Sequence, residues 1–115
     1  MDERLEKAIQ TANFMATLNT QRRLAFEEFS QSIIYYYNGA SFTANRELIT
    51  FVKTLLDVGY NEAVILDDNN IPVNIPNTKE FLDSILDVYT KSINEYITIY
   101  TDIKKKRKVE DLVNL

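Results

Sequence analysis

The chain has 115 residues, of which 45% are hydrophobic and 26% charged, with a net charge of −4; this is the balance of one globular domain with a real core, not of a disordered chain. Cysteine, histidine and tryptophan are all missing, which excludes disulfides, thiolate zinc sites, thiol nucleophiles and every hydrolase built on a Ser–His or Cys–His pair, and leaves carboxylate catalysis and hard-cation sites. No apolar run approaches the roughly 20 residues of a membrane span, and no apolar signal core follows Met-Asp-Glu-Arg, so the expectation is a cytoplasmic protein without a membrane partner.

The first stretch, Asp2 to about Ser32, has neither Gly nor Pro and reads as a long helix. Leu5, Ala8, Ala12, Met15, Phe26, Phe29, Ile33 and Tyr36 recur at helical spacing, interrupted by Asn19 and Arg22. Its front half is thus weakly apolar and in need of a partner. Ile33–Tyr37 is β-branched and aromatic, Asn38-Gly39 suits a tight turn, and Ala40 to Thr43 can return as a second strand. Asn45 can cap a helix from Arg46 to about Val58, and Gly59 can end it in the left-handed conformation. With Leu48, Val52, Leu55 and Leu56 on one face, this most hydrophobic helix is the expected middle of the core.

Ala63–Leu66 and the alternating Ile71, Val73 and Ile75 predict a second hairpin around Asp67-Asp68-Asn69-Asn70, with Pro72 at a sheet edge. Asn77 and Glu80 resemble a capping pair. From Thr78 about thirty residues run without Gly or Pro, and Leu82, Leu86, Tyr89, Ile93, Tyr96, Tyr100 and Ile103 form a seam spaced 4-3-4-3-4-3. The expected fold is α+β, a single domain over residues 1–115, ordered α-β-β-α-β-β-α, with long helices at both ends and the central helix on a small antiparallel sheet.

Thirty helical residues extend roughly 45 Å, against a diameter of about 35 Å for a domain of this size. The terminal helices therefore either pair as a stalk or pack on another copy, and the seam residues are the candidate interface of a homo-oligomer, a dimer being the simplest. Three seam residues are tyrosines, whose hydroxyls favour a groove open on one side.

Asp67–Asn70 does not match a helix–loop–helix calcium site: the sixth position would be Pro72 and the twelfth Thr78, where Gly and Glu are required. Glu27-Glu28 and Asp83 with Asp87 are acidic pairs that read as solvated helix faces. Gly39 and Gly59 are the only glycines, so there is no phosphate-cradling loop and no cofactor is implied. Residues 104–115 carry a charge of +3 on an otherwise acidic chain. Lys104, Lys105, Lys106, Arg107 and Lys108 are candidate phosphate contacts for a nucleic acid, or simply cations at a helix C-terminus.

Four segments carry a resemblance: Tyr35–Gly39, Glu47–Val52, Ala63 to Ile75, and Lys105 to Val113. In these the chain looks like small uncharacterised proteins of T4-type marine bacteriophages, a likeness over roughly residues 33–115 that implies no activity and assigns no residue a role. The order helix, hairpin, hairpin, helix is also similar to prefoldin subunits, apart from the full helix between the hairpins. These readings together predict a non-enzymatic assembly or interaction protein of phage origin, located in the host cytoplasm, with itself and another, unidentified protein as partners. A prefoldin-like holdase and a nucleic-acid accessory protein are the alternatives.

Overall fold

The computed structural model describes the backbone of residues 2–113 and the side chains of residues 2–106. The element order is α1 (Glu3–Ser32), β1 (Ile34–Tyr37), β2 (Ala40–Thr43), α2 (Arg46–Val58), β3 (Ala63–Leu66), β4 (Pro72–Ile75) and α3 (Thr78–Val113), an α+β fold in the expected order. The chain falls into two compact units. One comprises residues 30–94 and holds both hairpins with α2. The other comprises residues 1–29 and 95–115 and is made of the terminal helices.

Local chemistry sets each boundary in the hairpin unit. Tyr37 pairs with Ala40 across a two-residue loop, and Asn38 and Gly39 both take positive φ, 47° and 82°, the requirement of a turn whose twist matches antiparallel strands. Asn45 caps α2, its side chain accepting the Leu48 N–H at 2.9 Å. Gly59, at φ 107°, ends the helix. Its N–H donates to the Leu56 carbonyl at 3.0 Å and that of Tyr60 to Leu55 at 2.9 Å, satisfying carbonyls the last turn would otherwise orphan. Asn77 Oδ1 accepts the Glu80 N–H at 3.0 Å and starts α3.

The four strands form two separate two-stranded sheets, not one. What joins them is Asp68 in the β3–β4 turn. Its N–H donates to the Ser41 carbonyl at 2.8 Å, and its carboxylate accepts the Thr43 N–H and hydroxyl, both at 3.0 Å. Asp67 is spent within the turn, with Oδ1 accepting the Asn69 and Ile71 N–H groups at 2.9 Å.

The core of this unit lies on α3. Phe81, Leu82 and Ile85 are buried, together with Ile33, Phe42, Ala44, Val52, Ile65 and Ile75. Phe81 is the hub of an aromatic cluster: its ring centroid stands 5.1 Å from Phe42, 5.8 Å from Tyr37 and 5.9 Å from Tyr35, all edge to face. This corrects the expectation for α2, where Val52 alone is buried and Phe51 and Val58 are exposed. Leu48, Ile49, Leu55 and Leu56 on the same face are half-buried, so α2 covers the core and does not form its centre.

Candidate interaction surface

Among the described residues of the terminal-helix unit, α1 and α3 bury three side chains, Leu18, Ala25 and Ile103, with Phe14, Met15, Tyr96 and Ile99 partly buried around them. Phe29 and Tyr96 pack at 5.1 Å between ring centroids. Phe26 and Tyr100 extend the cluster at 6.2 and 6.3 Å from Tyr96. The inward row of α1 therefore runs through Phe14, Met15, Leu18, Gln21, Arg22, Ala25 and Phe29; of the stripe that the sequence suggested, it takes in Met15 and Phe29 and leaves Leu5, Ala8, Ala12 and Phe26 exposed. Asn19 is exposed and interrupts nothing, whereas Arg22 lies on the inward face. Gln21 Oε1 and Arg22 Nε are buried there without a hydrogen-bond partner.

The predicted α3 seam divides between the two units. In the hairpin unit, Leu82 is buried, Tyr89 and Ile93 are half-buried and Leu86 is exposed. In the terminal-helix unit, Ile103 is buried, Tyr96 half-buried and Tyr100 exposed. The inward row of α3 shares Leu82, Tyr89, Tyr96 and Ile103 with that seam. Its other members are Ile85, Ser92 and Ile99, each one residue before Leu86, Ile93 and Tyr100 and so rotated by one position around the helix. Ser92 hid this row, since a serine breaks an apolar pattern. It is buried, and its hydroxyl donates to the Ser32 carbonyl at 3.2 Å.

Outside these rows the terminal helices expose Leu5, Ile9, Leu24, Phe26 and Ile97, between 42% and 57%. Lys104, Lys105 and Lys106 are exposed near the end of α3, while the side chains of Arg107 and Lys108 lie outside the described residues. The acidic pairs are solvated: Glu27 pairs with Arg23 at 2.9 Å and Asp87 with Lys91 at 3.1 Å, all exposed. Among the described residues no cluster of three ligating side chains could hold a metal ion, and no helix is long and apolar enough to cross a membrane. The hairpin unit has a cleft where Tyr37 and Asn38 face Glu62, Val64, Asn74 and Pro76. Glu62 is the one carboxylate among the residues that line it. Comparison with protein-family models, curated proteins and solved structures finds no match to this chain.

Proposed function

We propose that the chain is a non-enzymatic assembly protein that works as a homo-oligomer, a dimer in its simplest form, joined through its terminal helices. The observation that carries this reading is the imbalance between what those helices bury and what they leave in water. Among the described residues three are buried between them, while five large apolar side chains stand at least 42% exposed in the same unit. Each Leu or Ile covered by a partner would gain roughly 1.5–3 kcal/mol at full burial, and two helices alone have no further face with which to cover them. The non-enzymatic part draws on the composition, which lacks histidine and cysteine.

Sedimentation equilibrium across the micromolar range tests the reading. A mass of about twice 13.4 kDa or more is expected; a mass of one chain at all concentrations would refute it. A second reading, contact with nucleic-acid phosphates, draws on the exposed Lys104–Lys106. It requires retention on DNA or RNA that falls with salt and disappears when residues 104–108 are neutralised.

A further inference from the structure

The ring cluster between α1 and α3 does not close over itself. Phe29 and Tyr96 are half-buried, but Phe26 and Tyr100, which pack on Tyr96 at 6.2 and 6.3 Å, stand 55% and 37% exposed. One ring from α1 and two from α3 thus form a continuous aromatic surface that opens to water on one side of the helix pair. Exposed rings keep a π-face on which another flat ring can stack.

The charges along this side have one sign. Arg22 lies one turn before Phe26, and Lys104 one turn after Tyr100; residues four apart share a helix face. Phe29 meets Tyr96 while Leu18 clusters with Ile103, so the helices run antiparallel and both cations lie toward the same end of the rings. The sequence of sites along α3 is Tyr96, Tyr100 and Lys104, in steps of about 6 Å, and Lys108 follows four positions on in the same helix. Among the described residues no ion pair engages Arg22 or Lys104. Arg22 is half-buried, with its Nε closed off from water, so its stem is already ordered. The nearby acids stand elsewhere. Glu95 is one position from Tyr96, Glu28 two from Phe26 and Asp102 two from Tyr100, and residues one or two apart do not face each other. Glu27 is engaged by Arg23 at 2.9 Å.

We propose that this side of the helix pair binds single-stranded nucleic acid, with bases stacking on Phe26 and Tyr100 and phosphates meeting Arg22 and Lys104. Stacking rings flanked by cations are what a strand with unpaired bases and a phosphate backbone complements, whereas a duplex hides its base faces. This rests on the nucleic-acid reading above and names its ligand and its surface: a composite of both terminal helices, not the lysine run alone.

The anisotropy of a fluorescein-labelled oligothymidine of about 16 nucleotides, alone or annealed to its complement, is titrated with wild type and variants. Circular dichroism follows helix content and sedimentation equilibrium follows mass. Deoxy and ribo strands share the chemistry, and an oligouridine of the same length distinguishes them. Phe26→Leu and Tyr100→Leu keep apolar bulk in the cluster and remove the stacking face. Wild type should bind the single strand more tightly than the duplex, and each Leu variant should weaken that binding at least about fivefold, with Phe26→Tyr close to wild type. Arg22→Gln should lower the slope of log affinity against log salt by about 0.7, one phosphate contact. If a Leu variant loses helix content, the Arg22→Gln slope and the duplex comparison decide. Equal affinity for the duplex, or binding that ignores the Leu variants and Arg22→Gln yet disappears when residues 104–108 are neutralised, overturns the composite surface and leaves the phosphate-contact reading standing. Leu variants that lower the mass without changing affinity assign the face to a second copy and overturn the proposal. No binding to any strand overturns both.

Discussion

Replacing Phe81 by alanine tests whether the aromatic hub organises the hairpin unit. Phe81 is 3% exposed and meets three rings at 5.1, 5.8 and 5.9 Å. Truncating a buried Phe costs about 3–5 kcal/mol through lost transfer energy and the cavity left behind. Edge-to-face pairs contribute about 0.5–1.5 kcal/mol each beyond area, which places this site near the upper end. Out of a total stability of about 5–15 kcal/mol, a third or more should disappear. With a urea slope of about 1.5 kcal/mol per molar, a loss of about 5 kcal/mol lowers the midpoint by roughly 3.3 M. Phe51→Ala, on the exposed side of α2, is the matched control and should cost less than about 1 kcal/mol. Unfolding is followed by far-UV circular dichroism and by the near-UV tyrosine bands, since Tyr35 and Tyr37 pack directly on the ring that is removed. If Phe81→Ala moved the midpoint no further than Phe51→Ala, the cluster would not be the centre of this core.

Asp68→Ala should destabilise the hairpin unit by about 1–2 kcal/mol, because two hydrogen bonds to a carboxylate are lost at an exposed site. Asp68→Asn, which keeps an acceptor for the Thr43 N–H and offers a donor to its hydroxyl, should lose less than half as much in the same urea titration; equal losses would mean that the clamp geometry is not what matters. Thr78 is fully buried and its hydroxyl has no partner, so Thr78→Val should raise the midpoint by the equivalent of about 1 kcal/mol, and a drop of that size would show that the hydroxyl is bonded. Gly59→Ala places a Cβ at φ 107°, where space is open but the backbone is strained; it should cost about 1–2 kcal/mol, and a neutral result would mean that the left-handed cap relaxes at no cost.

Everything decided by neighbours in sequence could be read in advance. Asn38-Gly39, Asn45, Gly59 and Asn77 each end or begin an element where expected, because turn and cap preferences are set by one or two residues and their own backbone. The direction in which a helix faces was less legible. On α1 the inward row contains Gln21 and Arg22, so an apolar count selects a different phase and passes over Leu18 and Ala25. On α3 the polar Ser92 broke the true row, because its partner is a carbonyl sixty residues away. Asp68 was recognisable as a turn residue, but its bond to Thr43 spans twenty-five positions. Such pairings exist only once the chain has folded, and no local preference encodes them.

Helices α1 and α2 illustrate why charge is a better guide than hydrophobicity to an uncovered surface. α2 is covered on one side only, and it follows the ordinary rule: its outer face carries Arg46, Glu47, Lys53 and Asp57, with Lys53 and Asp57 paired at 2.7 Å. α1 between Ala8 and Gln21 breaks that rule on both faces, with unpartnered polar atoms near its inward row and no charge on its outward one. A helix exposed on its outer side for its whole working life would gain solubility from charges there at no cost to packing, since Ala12, Ala16 and Thr20 point into water and touch nothing in the core. A partner helix reverses that balance: each added charge would then lie in a narrow contact with its hydration stripped away. The chain's own fold leaves that face open and does not account for its missing charges.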